Sequence, residues 1–385
     1  MKKSSRKKRI PWGQLFGVLL GLLLGIAFGF YIYPIIEVCT TTSTAPVLLT
    51  TLILLAMLYA AILLQTIVHE AGHLVCGLLS GYKFSSFRIV SFTWLKIDGK
   101  IRLRRHSVMG TAGQCLMTPP DMLDGTIPVM LYNLGGVLAN LIVSALCAAA
   151  YALTRTHPLL SGFFLSCTLA GLLLGLLNGI PLHMGAIDND GMNALSLRRN
   201  PEAMRALWLQ LKINEQMTQG VRLKDMPAEW FELPSDAAMK SALSAAIGVF
   251  ACNRLMDAHL FQEADCLMAR LLEMDSGILP LHRALLVCDR MYIEIIGENR
   301  PNVLAAMMTR EQEKFMKSMQ RSLSVLRTEY ARALLSEPNL DRAVRLHRTF
   351  ERLAARYTYE ADAQSERELM DIAKQKRSDL PMARD

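Results

Sequence analysis

Hydrophobic residues are concentrated in the first half of the chain, in four long runs that contain few charged positions. Each run is long enough to cross the hydrocarbon core of a bilayer as an α-helix. The runs cover about residues 12–36, 46–79, 129–153 and 158–180. The first exceeds the length of a signal-peptide core and lacks an A-x-A cleavage site, so we expect it to be retained. The pattern therefore predicts an all-α polytopic membrane protein with four transmembrane helices in this half.

Between the second and third runs the pattern changes to strand-like sequence. Phe84–Ile97 and Ile101–Val108 are rich in β-branched and aromatic residues, and Asp98-Gly99 lies between them. An Asp-Gly pair flanked in this way is a strong signal for a β-hairpin. The following stretch, 110–120, is typical of a loop or re-entrant segment. Two interpretations of the hairpin remain open, namely a simple surface hairpin or an edge that accepts an extended substrate by strand addition.

From Asn193 onward the hydrophobic density falls and charges recur at helical spacing, which predicts a soluble α-helical C-terminal domain. Helix lengths and short connections favour a repeat-like array of helical hairpins, similar to tetratricopeptide arrays. Polar residues 374–385 are typical of a frayed tail. The predicted helices are Met204–Leu211, Ala237–Met256, Glu263–Met274, Leu279–Ile296, Thr309–Leu335 and Leu340–Arg356.

The net charge is +8, and the positions of the basic residues fit a membrane topology better than a nucleic-acid interface. Residues 1–11 form a basic tail, and the insertion at 82–120 is also rich in Lys and Arg. By the positive-inside rule both lie in the cytosol, so four spans place the N- and C-termini there, most simply in a bacterial plasma membrane. No nucleic-acid-binding motif is present, and we expect no such partner. The predicted domains are the tail, a transmembrane domain at 12–192 and a cytosolic helical domain at 193–385.

In the second run, residues 46–68 are almost wholly apolar and are followed in the same predicted helix by the pentad His69-Glu70-Ala71-Gly72-His73. Positions i and i+4 share one helix face, so both imidazoles can reach one metal ion, and Glu70 can serve as a general base. Ionisable groups at membrane depth each cost on the order of 3 kcal/mol and mark function by default. The pentad therefore predicts a catalytic zinc site, which needs one more protein ligand.

The candidate for that ligand follows the fourth run, where Pro181 is expected to end the helix. In the four-span topology this end lies on the same side of the membrane as the two histidines. Asp190, which precedes a turn-favouring glycine, is our preferred third ligand. Asp188 is the alternative, and His183 is a more distant one. The eight cysteines are scattered without C-x-x-C spacing and are not expected to bind metal.

These motifs resemble the core of the site-2 protease family of intramembrane metalloproteases over about residues 46–195. That family pairs H-E-x-x-H with an N-x-x-P…D-G element, matched here by Asn178, Pro181 and Asp190-Gly191, and has a G-x-x-x-N element, matched by Gly136 to Asn140. The spacing from Pro181 to Asp190 is longer than is usual for the family. The resemblance implies zinc bound by His69, His73 and Asp190, with Glu70 as the base. It also implies that Asn140 and Asn178 hold the substrate backbone or the oxyanion.

The expected function is that of a zinc-dependent intramembrane endopeptidase, which cuts a peptide bond in or near a transmembrane segment of a membrane-tethered substrate. The expected partners are that substrate, the lipid bilayer and a protein bound by the C-terminal helical domain. Two alternatives come from other classes. One is a catalytically silent membrane scaffold that acts through its cytosolic helices, and the other is a transporter of metal ions or small solutes.

Overall fold

The computed structural model is mostly helical and divides into two compact units. It describes residues 12–42, 47–105, 112–183 and 188–379. Of these described residues, those up to 91 and those from 112 to 201 form the membrane unit, and those at 92–105 and from 202 to 379 form the C-terminal unit. The division near residue 201 falls later than the expected one at 192, and the hairpin insertion is shared between the units. The basic tail, 1–11, lies outside the described residues.

Four helices of the membrane unit are long and apolar enough to cross a membrane, which confirms that part of the prediction. They are α1 (Trp12–Thr42), α2 (Val47–Leu79), α3 (Val129–Leu153) and α4 (Pro158–Gly179). Helix α1 continues beyond its expected end at residue 36, so much of the expected outer loop is helical; no proline or glycine interrupts residues 37–42. Large side chains on α1 such as Leu23 and Phe30 are exposed, as lipid-facing positions are.

Glycines let α2, α3 and α4 pack closely, with backbone contact between α2 and α3. A Cβ atom on Gly72 would overlap the carbonyl oxygen of Gly135, and one on Gly135 would overlap that of Gly72. A Cβ atom on Gly171 of α4 would lie 2.6 Å from Nε2 of Gln65 on α2. Small residues allow such close approach between membrane helices. The packing holds the ends of the three helices together, and the candidate site lies there.

Two antiparallel strand pairs occupy the insertion. In the membrane unit β1 (Lys83–Ile89) pairs with β4 (Gly113–Thr118), and in the C-terminal unit β2 (Phe92–Ile97) pairs with β3 (Lys100–Arg105). Asp98 and Gly99 have φ values of 48° and 75°, which are the two positive values of a type I′ turn. The predicted hairpin turn is therefore confirmed.

The structure corrects two details of the insertion. The run Phe84–Ile97, expected as one strand, is divided at Val90, whose φ of 54° breaks the extended backbone. The stretch 110–120, expected as a loop, contains β4. Only Cys115, Met117 and Thr118 of β4 are buried, so the strand carries too few alternating apolar positions to be recognised from sequence.

Nine described helices follow α5 (Asp190–Leu197), which belongs to the membrane unit. They are α6 (Pro201–Thr218), α7 (Ala242–Asp257), α8 (Phe261–Glu273), α9 (Pro280–Ile296), α10 (Pro301–Met307), α11 (Arg310–Ser318), α12 (Leu323–Ala331), α13 (Leu340–Ala354) and α14 (Glu360–Asp379). Their core includes Tyr292 and Phe350, both fully buried. The side chain of Gln219 holds the β2–β3 hairpin in this unit, since it donates to the Lys96 carbonyl oxygen (2.7 Å).

The C-terminal unit departs from the expected helices in several places, which include α10 and the longer α6. The stretch Thr309–Leu335, expected as one helix, is divided into α11 and α12 and ends in a π-helical turn, Arg332–Ser336. Helix α14 was missed and includes residues 374–379, which were expected to be frayed; residues 380–385 lie outside the described chain. Three of the five buried residues of α14 are alanines, so the helix has few large apolar side chains to mark its buried face in the sequence. The repeat-like arrangement stays a prediction.

Candidate metal centre

Three side chains of the membrane unit place their ligand atoms at the corners of a small triangle. Nε2 of His69 lies 3.2 Å from Nε2 of His73. Oδ2 of Asp190 lies 3.1 Å from the first nitrogen and 3.4 Å from the second. In a tetrahedral zinc site with bonds of about 2.0–2.1 Å, neighbouring ligand atoms are about 3.3 Å apart. The triangle therefore has the dimensions that such a metal requires.

Both histidines are oriented by hydrogen bonds at their other ring nitrogens. Nδ1 of His69 lies 2.7 Å from Oδ1 of Asn140, and Nδ1 of His73 lies 2.8 Å from the carbonyl oxygen of Tyr132. Because both partners are acceptors, each Nδ1 carries the proton and donates it. Each Nε2 then presents its lone pair toward Asp190. Metal-binding histidines are held in this way, which fixes the tautomer and the ring orientation.

The contact of His69 continues into a buried network across three helices. The Asn140 amide donates to the Gln65 carbonyl oxygen (2.8 Å) and to Oε1 of Gln65 (2.9 Å). Nε2 of Gln65 donates to the carbonyl oxygen of Cys167 (2.8 Å). Gln65 and Asn140 are both 0% exposed. In this geometry Asn140 uses both amide protons and positions His69.

Asn178, the second amide that the resemblance singles out, is bonded within its own helix. Its amide donates to the carbonyl oxygen of Leu174, one turn earlier in α4, at 2.9 Å. The side chain is partly buried near the end of the helix. The role in substrate binding that the resemblance implies for Asn178 stays a prediction.

A buried asparagine builds the turn that presents Asp190. Asn189 is only 6% exposed. Its Oδ1 caps α5 by accepting a hydrogen bond from the Met192 backbone N–H (3.0 Å), and it accepts a second one from the Leu182 backbone N–H (3.1 Å). Its amide donates to the carbonyl oxygens of Leu177 and Ile180, both at 2.6 Å. One side chain thus joins the end of α4 to the start of α5. Sequence reasoning missed Asn189, although Asn is a preferred N-cap residue.

The alternative third ligands are placed elsewhere. The Asp188 carboxylate is bonded to Nδ1 of His183 at 2.5 Å, in a more exposed pair. Within the described residues, the group able to hold a metal consists of His69, His73 and Asp190. Burial acts to raise the pKa of Asp190, but the influence of the two adjacent histidines outweighs burial and lowers the pKa to about 2. The preferred ligand is therefore a carboxylate anion at neutral pH.

Two glycines leave room for the functional side chains. A Cβ atom on Gly136 would lie 2.6 Å from Cε1 of His69 and 2.7 Å from Nε2 of His73. A Cβ atom on Gly113, the first residue of β4, would lie 2.6 Å from Cγ of Glu70. Glu70 is 9% exposed, so it is buried between its helix and the strand. Sequence reasoning missed Gly113, because its neighbour in space is far away along the chain.

Comparisons with protein-family models, with curated proteins and with solved structures gave no match. The function is therefore argued from the site itself.

Proposed function

We propose that the protein is a zinc-dependent intramembrane endopeptidase, which hydrolyses a peptide bond in or beside a transmembrane segment of a membrane-tethered substrate. The observation that carries the proposal is the triangle of His69, His73 and Asp190 at the end of an apolar helix, with Glu70 adjacent in sequence. Two imidazoles and one carboxylate are one of the ligand sets of catalytic zinc sites, which keep another position open for water. A bound zinc ion would polarise the scissile carbonyl group and acidify water to a pKa near ~7.

Glu70 is the proton carrier in this proposal. Its carboxylate accepts a proton from the attacking water and passes it to the amine nitrogen that leaves the broken peptide bond. The side chain lies against Gly113, where the absence of a Cβ leaves space for it. Burial excludes bulk water, which strengthens the electrostatic interactions made during the reaction.

Strand β4 provides a means of aligning the substrate beside Glu70. Among the described strands β4 pairs with β1 alone, so its other edge carries no strand partner. An extended peptide added at this edge would gain backbone hydrogen bonds and pass the start of β4. Strand addition is thus proposed at β4, and the two interpretations of the predicted hairpin itself stay predictions.

The proposed topology follows from charge. The basic tail at 1–11 and the basic insertion lie on the cytosolic side by the positive-inside rule, as does the C-terminal unit. The end of α2 and the start of α5 then share that side, so water and substrate reach the site from the cytosol. The proposed location is a bacterial plasma membrane, with the C-terminal unit available to a partner protein.

The test is cleavage of a fluorogenic membrane-tethered peptide in liposomes by wild type and Glu70→Gln. We expect the variant to keep its zinc and to cleave at least ~100-fold more slowly, because it has lost the general base. Glu273→Gln, an exposed change at the end of α8, is the matched control and should cleave like wild type. Wild-type rates in Glu70→Gln would contradict the mechanism. Zinc without cleavage in wild type would favour the scaffold.

A further inference from the structure

The C-terminal unit contains a cavity of about 340 Å³ among its helices. This volume lies within the range of about 300–1,000 Å³ that is typical of ligand pockets. Part of its wall is apolar, including Met217, Val249 and Leu285. The charged side chains that line it are Arg222, Asp257, Asp289, Arg327, Asp362 and Glu366.

Both arginines in the wall are already engaged by carboxylates. Arg327, 1% exposed, pairs with Asp289 at 2.5 Å and with Glu366 at 2.9 Å. Arg222 pairs with Asp257 at 2.5 Å and also with Glu368. A guanidinium held by two carboxylates has little attraction left for an anion. The cavity is therefore poorly suited to an anionic ligand.

Asp362 differs from the other carboxylates in the wall. Among the described residues it has no hydrogen bond or ion pair, and the charged groups that act on it are the carboxylates of Glu366 and Asp257. Burial and then these two neighbours raise the pKa of Asp362 to about 7. A carboxylate in this environment opposes folding when it is ionised, so the fold alone does not account for it.

The balance of charge favours a cation. Three of the four carboxyl groups in the wall are paired with its two arginines, which leaves Asp362, when it is ionised, without a cation. His282 adds no positive charge near neutral pH, because burial lowers its pKa. A cation beside Asp362 would supply the opposite charge that this carboxylate lacks, and its hydrogen bonds would be charge-assisted. The apolar wall suits an aliphatic chain, and Lys and Arg combine such a stem with a cationic head.

We propose that this cavity binds a Lys or Arg side chain of a basic peptide segment, with Asp362 as its counter-ion. Membrane proteins carry such segments, because Lys and Arg are concentrated in the cytosolic flanks of transmembrane helices. The binding site stands on the cavity itself. Its use in capturing the flank of a substrate rests on the proposed function.

The test measures binding of a labelled 12-residue peptide with four lysines to the full-length Glu70→Gln chain in zwitterionic nanodiscs, by fluorescence anisotropy. A peptide with glutamine at the four positions is the reference. We expect the lysine peptide to bind at least ~10-fold more tightly, because each lysine that enters the cavity can make a charge-assisted hydrogen bond that glutamine cannot. Adding Asp362→Asn should remove that preference, and Asp362→Glu should keep most of it. Asp371→Asn, an exposed change on the same helix, should leave binding unchanged.

Equal binding of the two peptides, or an undiminished preference in a folded Asp362→Asn chain, would overturn the proposal. So would competition by spermidine with no measurable binding of the peptide, because the cavity would then be selective for a small amine. Circular dichroism checks that each variant is folded. No cleavage is needed for any of these readings, so they remain valid even if the chain is not a protease.

Discussion

The orientation of His69 depends on Gln65, which acts through Asn140. Its partner, Asn140, could rotate its amide by half a turn and present hydrogens instead of Oδ1. Gln65 prevents this, because its two acceptor oxygens bind both amide hydrogens of Asn140. A fully buried glutamine in an apolar helix needs hydrogen-bond partners for its own polar atoms, and Nε2 of Gln65 donates to the Cys167 carbonyl oxygen.

Replacing Gln65 with leucine should therefore weaken zinc binding without removing a ligand. Asn140 would lose one of its two acceptors, and His69 would be held less firmly. Loss of such an outer partner reduces metal affinity by about 10–100-fold. Competition with a chelator measures it. Thr66→Val is the control, since the Thr66 hydroxyl bonds within its own helix to the Ile62 carbonyl oxygen. Equal zinc affinity in wild type and Gln65→Leu would show that the network does not position His69.

Residues of the candidate site differ in how far the sequence revealed them. His69, Glu70 and His73 lie within five positions of one helix, so their spacing alone predicted a metal site. Asp190 was preferred, but only the packing of α5 separates it from Asp188. Asn140 was singled out for a different role, and Gln65 was not predicted, because the partners of Gln65 lie 75 and 102 positions away in the chain. The hydrophobic periodicity of a sequence contains no information about contacts between residues so far apart in the chain.

Among the helices, α2 and α3 form the contact on which the site depends. Gly72 and Gly135 let the two backbones meet, and one position further along α3 Gly136 faces the histidine rings. Any side chain at Gly136 must displace either the rings or the helix. The glycines of this contact therefore set both the helix separation and the space that the imidazoles occupy.

Gly136→Ala should reduce zinc affinity at least ~10-fold while the chain remains helical. The added methyl group would lie 2.6–2.7 Å from atoms of both imidazoles, and overpacking forces such groups to move. Chelator competition and circular dichroism measure the two properties. Gly21→Ala is a matched control on α1, where an added Cβ meets nothing within 4 Å. If Gly136→Ala bound zinc as tightly as wild type, the packing around the histidines would have to be looser than described.

Elements with a strong single pattern were predicted well. The four spans follow from composition, and the turn at Asp98-Gly99 follows from two residues that tolerate positive φ. Strand β4 and helix α14 were missed because their buried positions are few or small. Their positions depend on packing partners that a local pattern does not contain.

At the scale of the whole molecule, the C-terminal unit keeps ionisable groups in its interior. Burial, opposed by Arg327, raises the pKa of Asp289 to about 6, and the pKa of Asp362 is higher still. In the folded state these carboxylates hold protons that the unfolded chain releases at lower pH. Their contribution to the free energy of unfolding therefore falls as the pH rises from about 4 to 7.

Asp362→Asn should accordingly raise the melting temperature of the C-terminal unit at pH 8 by a few degrees, and by less at pH 5. At pH 8 the wild-type carboxylate is ionised in both states and opposes folding. At pH 5 the folded state already holds the proton. Thermal unfolding followed by intrinsic fluorescence measures the difference, with Asp371→Asn as the exposed control. A lower melting temperature for Asp362→Asn at pH 8 would mean that the carboxylate has a stabilising partner.

The most direct test of the central claim is the zinc content of the purified chain, measured by mass spectrometry for wild type, Asp190→Asn and Asp188→Asn. The two variants carry the same substitution two positions apart. Asp190 faces His69 and His73, whereas Asp188 is bonded to His183. We predict zinc equimolar with wild type and with Asp188→Asn, and its loss from Asp190→Asn. A wild-type chain that takes up no zinc, or zinc lost from Asp188→Asn and kept by Asp190→Asn, would contradict the account.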